Sequence, residues 1–172
     1  MALNQVLIAE LQQEAANTHK MLERVPAGHM DWQPHAKSMS LTRLATHIAE
    51  LPGWITMTLN TQELDLGAMD YKPNLAGDVA ELVAIHNKSV AGAEEALKNA
   101  TDEQLAEPWT LRQGDHVIFT LPRAAVIRSM VMNHMIHHRG QLSVFLRLLD
   151  VPLPGIYGPT RDEMDMMAAA AN

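Results

Sequence analysis

Two histidines four residues apart, His134 and His138, are the residues whose types and spacing point most directly to chemistry. In a helix, side chains at this spacing lie on one face, so both imidazoles can bind a single ion. His137 can pair with His134 at a spacing of three, but it points about 100° away from His138 around the helix. We therefore place His134 and His138 inward and His137 at the flank. On spacing alone, a metal-binding pair and a hydrogen-bonded structural pair fit equally well.

The segment that carries these histidines, residues 122–149, has the pattern of an amphipathic helix beginning at Pro122. Apolar residues recur at spacings of three and four, at Ile127, Met130, Val131, Leu142, Phe145 and Leu149. The same stripe passes through His134, His138 and Gln141 at mid-length. The predicted buried face is thus apolar at both ends and carries imidazoles at its centre.

A third histidine occupies the same kind of position in another predicted helix. This second helix begins after the N-cap Ser40, and Pro52-Gly53 should kink or break it. His47 lies in the middle of its apolar stripe, where a lone neutral imidazole would need its own partner. Three inward histidines are costly to bury separately, so the pattern favours His47, His134 and His138 as ligands of one ion.

Such a site has a definite chemistry. Three imidazoles without a thiolate suit Zn, Ni or Fe(II) and leave positions for water or substrate, as in catalytic sites. A bound water would become a nucleophile or base. Alternatively, a substrate thiol could bind the metal and lose its proton, which supplies a nucleophile to a chain that has no cysteine.

Two further polar residues are candidates for the reaction itself. Gln141 shares the inward face with His138, and Glu50 lies one turn after His47. Either could position water or act beside the metal, although for Glu50 the pattern slightly favours a surface carboxylate. Arg139 is better suited to an ion pair or a dimer contact. The sequence assigns no role to His86 or His137.

The remaining pattern predicts one all-α domain over residues 1–172, a four-helix bundle with a small β-hairpin insertion. The first helix spans residues 3–25, and Asp78 caps the third, which ends near residue 100. Alternating apolar residues around Gln-Gly-Asp predict the hairpin between helices three and four. The prolines and glycines after residue 150 predict an irregular tail that folds back over the bundle, frayed from residue 166 to 172.

Composition narrows the class of partner. A net charge of -7 argues against nucleic-acid binding, and no apolar run is long enough to cross a membrane. The N-terminus lacks the basic leader of a signal peptide, so we expect a cytoplasmic protein with a small-molecule substrate. Bundle helices easily pair faces, which makes a homodimer plausible.

At the level of motifs the chain resembles the DinB/YfiT-like superfamily. The run NHMIHHRGQLSVFLRLLDVPLPGIYGPTRDE is similar to the family's last helix and tail, LTRLATHIAELPGW to its second helix, and ERVPAGHMDWQPHAKSMSL to its first interhelical loop. The similarity is weakest across residues 60–120. It implies a four-helix bundle whose divalent metal is held by one histidine of the second helix and two of the fourth, which correspond to His47, His134 and His138.

The resemblance leaves three functions open. Relatives include a mycothiol-dependent maleylpyruvate isomerase and bacillithiol transferases, so the first hypothesis is a thiol-dependent S-transferase acting on a small electrophile. The second is a metal-dependent hydrolase in which Glu50 or Gln141 positions a water. The third is a non-catalytic bundle whose metal is structural, or whose role is to bind a partner during stress, with Trp54, Met57 or Phe145 exposed on a partner surface.

Overall fold

Helices make up most of the structure, a computed structural model that describes residues 2–69 and 72–170. Helix α4 packs against α1, α2 and α3, while α7 packs against α1 and α2. None of the described helices has the length and apolar character needed to cross a membrane. The helices are α1 (Leu3–Leu22), α2 (Leu41–Glu50), α3 (Gly53–Asn60), α4 (Val79–Asn99), α5 (Asp102–Ala106), α6 (Arg123–Val126), α7 (His134–Leu148) and α8 (Arg161–Ala170).

Local signals set the helix boundaries. The Ser40 hydroxyl accepts a hydrogen bond from the Arg43 N–H at 3.2 Å and begins α2. Pro52 has no N–H to continue the helix, so α2 ends at Glu50 and α3 begins at Gly53, as the predicted break requires. The Asp78 carboxylate accepts from the Glu81 N–H at 2.8 Å and caps α4. Helix α1 ends at Leu22, earlier than the predicted residue 25.

The last long helical segment differs from the prediction in two ways. Pro122 ends a strand and serves as the N-cap residue, so the helix begins at Arg123 rather than at the proline. Between α6 and α7, residues Ile127–Asn133 form a π-helical segment whose turns are wider than those of an α-helix. The wide turns lie directly before His134, and α7 carries both predicted metal-ligand histidines.

A three-stranded sheet covers one side of the helices. Strand β2 (Pro108–Gln113) pairs antiparallel with β3 (His116–Pro122), and Gly114 takes a φ of 58°, as a two-residue hairpin loop requires. The third strand, β1 (Glu63–Asp65), pairs parallel with β2 and was not predicted. Arg112 of β2 ties it in place by binding Glu63 at 2.7 Å and Asp65 at 2.5 Å.

The C-terminal tail corrects the prediction of an irregular and frayed end. Residues 166–170 belong to α8, while residues 171 and 172 lie outside the described residues. The Thr160 N–H and the Gly155 N–H both donate to the Glu163 carboxylate, which organises the loop before α8. Val151, Leu153 and Ile156 pack against the core, so the tail does fold back over the helices as expected.

Candidate metal centre

Three histidines converge where α2 meets the start of α7. His47, His134 and His138 each offer a ring nitrogen, and these nitrogens all lie within 4.8 Å of one another. The His134 Nε2 atom is 2.8 Å from His138 Nε2 and 3.4 Å from His47 Nε2. The histidines that the sequence singled out are therefore the ones the fold brings together, and they can hold a metal ion.

Hydrogen bonds behind two of the rings fix which nitrogen carries the proton. His138 Nδ1 is 2.7 Å from the Gln141 side-chain oxygen, and His134 Nδ1 is 3.2 Å from the Met130 carbonyl. Both oxygens can only accept, so each Nδ1 carries the hydrogen and each Nε2 presents a lone pair. Two lone pairs that face each other at 2.8 Å repel unless a cation lies between them. The donor set therefore fits a divalent ion.

The π-helical segment makes the Met130 carbonyl available to the ring of His134. In a regular α-helix that oxygen would accept the backbone N–H of His134, four residues later. Here the His134 N–H bonds to the Val131 carbonyl instead. The Met130 oxygen accepts from His134 Nδ1, which is the kind of contact that orients metal-binding histidines.

The electrostatic surroundings keep all three rings neutral. Burial lowers the pKa of His47 to about 4, with further lowering from His138, His134 and Arg43. Burial is also the main cause of the lowered pKa of His134 and of His138. Neutral imidazole is the form that binds metal, so the folded chain holds its ligands ready at neutral pH.

Comparison with known proteins identifies the family. A model of the DinB family matches residues 1–169, nearly the whole chain. The chain belongs to the DinB family.

Other comparisons agree with that membership. An uncharacterised protein of Bacillus subtilis, YrdA, is 27% identical over 151 residues, which cover 87% of this chain and 85% of YrdA. The crystal structure of a DinB-like protein of B. subtilis, YjoA, superposes with a TM-score of 0.69 at 18% identity, over 90% of this chain and 99% of YjoA. A DinB-like protein of Bacillus cereus gives 0.68 at 22% identity, over 88% and 95% of the two chains. At these identities the two solved structures show a common fold.

In this DinB family member the two polar candidates occupy different places. Gln141 is exposed and lies behind His138, where its oxygen faces His138 Nδ1 and its amide nitrogen is 3.1 Å from His137 Nε2. It therefore orients a ring from the side away from the metal-binding nitrogens. Glu50 lines a cavity of about 280 Å³ together with His47, so it is the candidate that can reach a bound molecule.

Arg139 and His86 belong to the packing of this DinB fold. Arg139 forms a buried ion pair with Glu14 at 2.6 Å. Of the two roles predicted for Arg139, an ion pair or a dimer contact, this is the first. His86 is buried between α4 and α1, where its Nε2 lies 3.1 Å from the Ala15 carbonyl. His137 is exposed; its Nε2 lies 3.1 Å from the Gln141 amide nitrogen, and its ring centroid lies 5.0 Å from that of His138.

Some site features could not be read from the sequence of this DinB protein. The Met130 carbonyl carries no residue-type signal, and the cavity residues Trp54 and Met57 have the pattern of ordinary core positions. The π-helical segment was missed as well, because the spacing of four among the buried residues Arg123, Ile127, Val131 and Met135 occurs equally in regular α7, at His138, Leu142 and Leu146.

Proposed function

We propose that this chain is a cytoplasmic metal-dependent enzyme in which His47, His134 and His138 hold a divalent ion, within a bundle of four long helical segments. The observation that carries the proposal is the convergence of three neutral imidazole nitrogens beside a cavity. Among residues 2–69 and 72–170 the group has three members, which is the ligand count of catalytic sites with an open position. Zn, Ni and Fe(II) all fit this ligand set.

The charge balance favours an anionic exchangeable ligand. Three neutral imidazoles leave both positive charges of a divalent ion without compensation, so a thiolate or hydroxide is bound in preference to a neutral molecule. A bound divalent ion produces such an anionic ligand by lowering the pKa of a thiol or of water. Because the chain has no cysteine, the thiol comes from a low-molecular-weight cosubstrate, and the reaction is transfer of that thiol to a small electrophile.

The residues of the chain have separate roles in this scheme. The three histidines bind the ion, while Gln141 and the Met130 carbonyl hold the rings of His138 and His134 in the tautomer that binds. Glu50 lines the cavity three residues after His47, where it can accept the thiol proton. The same position supports a second candidate, a hydrolase in which Glu50 accepts a proton from water.

Metal content tests the proposal directly. Untagged protein is analysed for Zn, Ni, Fe and Mn, next to His138→Ala and the matched control His116→Ala, which removes an exposed histidine of the hairpin. We expect about one ion per chain in the wild type and the control, and a loss in His138→Ala. A wild-type chain that carries no metal and takes up none on titration would overturn the proposal.

A second measurement separates the two reactions. Cobalt(II) replaces the native ion, and its visible absorption is followed while thiols are added. A spectral change with a thiol supports the transferase, whereas thiol-independent turnover of an ester or amide supports the hydrolase. If neither occurs in a metal-loaded protein, the non-catalytic alternative is the better description.

A homodimer remains part of the proposal. Val144 and Leu148 lie one turn apart on α7 and are 57% and 59% exposed, which makes an apolar strip that a second copy can cover. Sedimentation of the wild type and of Leu148→Glu tests this. A dimer that Leu148→Glu converts to monomer supports the assignment, and a wild-type monomer removes it.

A further inference from the structure

The cavity beside His47 has two unlike walls. One wall is a face of α2 that presents Arg43, His47 and Glu50 at spacings of four and three, which align them along one side of a helix. The guanidinium and the carboxylate carry opposite charges and lie on either side of the imidazole along that face. This wall therefore favours a ligand of low net charge with one polar end.

The rest of the lining is apolar. Trp54 and Met57 come from α3, while Leu64, Leu66 and Met69 come from β1 and the segment after it. Leu66 remains 37% exposed and Met69 41% exposed, although both side chains are large and apolar. A molecule in the cavity would cover this surface, which is favourable in proportion to the apolar area removed from water.

The size of the cavity limits the molecule. About 280 Å³ lies just below the range of about 300–1,000 Å³ that holds drug-sized ligands. The cavity accepts a body the size of a single aromatic ring. Methionine and tryptophan in its wall are well suited to a ring, since thioethers make favourable contacts with aromatic edges.

A second cavity, of about 430 Å³, borders His138 but approaches that ring from the other side. Gln141, which lies at the Nδ1 side of His138, is among its lining residues, together with Lys37 and Ser38. The nitrogen that faces the other two histidines is Nε2. The cavity beside His47 is therefore the better placed of the two for a ligand that reaches the ion.

The geometry points to a small, mostly apolar molecule, of the aromatic or branched aliphatic class, as the substrate that fills the cavity beside His47 with its polar end at the three-histidine site. This inference rests on the proposed metal site and adds the class of substrate. It identifies the electrophile of the proposed transfer as an uncharged apolar compound. Leu66 and Met69 then act as specificity-determining residues.

Two hydroxamates test it, because they share one metal-binding group and differ in their apolar body. The protein is loaded with cobalt(II), and acetohydroxamate and benzohydroxamate are titrated against its visible absorption. We expect the wild type to bind benzohydroxamate roughly tenfold or more tightly than acetohydroxamate, because the ring is removed from water. In the double variant Leu66→Ser/Met69→Ser that preference should fall to about threefold or less, with acetohydroxamate affinity changed by less than about twofold.

The control is Leu121→Ser, which removes a leucine of the same 37% exposure on β3, outside the cavity lining. It should keep the full preference for benzohydroxamate. If the cobalt-loaded wild type binds both hydroxamates with equal affinity, or if the double variant retains the preference, the substrate class is overturned and the metal site stays intact. Failure of the wild type to bind cobalt would overturn the metal site, and the substrate class would fall with it.

Discussion

Two neighbouring buried residues of α7, His138 and Arg139, belong to two polar groups that differ in how well their hydrogen-bonding atoms are satisfied. Arg139 donates to the Glu14 carboxylate at 2.6 Å, the Glu14 carbonyl at 3.0 Å, Thr18 at 3.1 Å and the Tyr157 hydroxyl at 2.7 Å. Every one of these contacts joins a donor to an acceptor. In the histidine group, by contrast, the nitrogens that face each other are both acceptors.

This difference separates a structural group from a binding group. The Arg139 group is complete within the chain, because its positive charge has a buried carboxylate as its partner. It also fastens the tail to α1, since the Tyr157 hydroxyl donates to the same Glu14 oxygen at 2.7 Å. The histidine group becomes complete when a cation is added. A buried polar cluster is thus interpreted by the match of its donors and acceptors rather than by its composition.

The largest effect on stability should come from breaking the Arg139–Glu14 ion pair. Arg139→Met leaves the Glu14 carboxylate buried without its partner, and we expect a loss of about 3–5 kcal/mol in the free energy of unfolding. Urea denaturation measures it. The double variant Arg139→Met/Glu14→Leu removes both charges and should recover most of the loss. A single variant within about 1 kcal/mol of the wild type would show that the ion pair contributes little.

Adding metal should complete the three-histidine group and stabilise the fold. At free zinc about 1,000 times its dissociation constant, we expect about 4 kcal/mol of added stability relative to metal-free protein. Thermal unfolding with and without zinc measures the gain. His134→Ala should abolish it, whereas the exposed-site control His116→Ala should retain it. An equal gain in wild type and His134→Ala would place the zinc elsewhere.

Removing the support behind a ligand should have a smaller effect. Gln141→Leu takes away the oxygen that faces His138 Nδ1, and we expect zinc affinity to fall about 10–100-fold. Gln141→Glu keeps an acceptor at that position and should restore most of the affinity. Competition with a chelator provides the measurement. If Gln141→Leu binds zinc as tightly as the wild type, Gln141 does not position His138.

The smallest effect is expected from pH. Protons compete with metal only at ligands that hold them, and an imidazole with an ordinary pKa of about 6.5 would cost about fourfold in affinity at pH 6. The pKa of His47 is lowered to about 4, and those of His134 and His138 are also lowered. Zinc affinity should therefore fall less between pH 7.5 and 6 than it would for three imidazoles of ordinary pKa, after correction for the chelator. A steep fall over this range would contradict the lowered pKa values.

The sequence predicted the group of three histidines because helical periodicity determines which side chains point inward. Each of the three histidines, His47, His134 and His138, lies within an apolar stripe. The fold brings these three positions together. The break at Pro52 and the caps at Ser40 and Asp78 were equally predictable, since each depends on one local interaction.

Other features depend on contacts between distant parts of the chain. Strand β1 pairs with β2, and Arg112 binds Glu63 and Asp65 across that pairing, although no periodicity connects these residues. Helix α8 was missed because the prolines before residue 160 hid the start signal at Thr160, whose hydroxyl accepts from the Glu163 N–H at 3.3 Å. The position of Gln141 behind the ring, rather than inside the site, depends on a rotamer that sequence does not determine.

The π-helical segment has a consequence for insertions and deletions. Buried residues recur every four positions from Arg123 to Arg139, and in a regular α-helix each such step would rotate the buried side by about 40°. The wide turn absorbs this rotation and keeps both halves of the helix facing the same core. Deleting one residue there, such as Ser129, would let a regular helix form with its flanking faces nearly unchanged. The Met130 carbonyl would then return to its backbone partner, so the chain would keep its fold and lose the contact that orients His134.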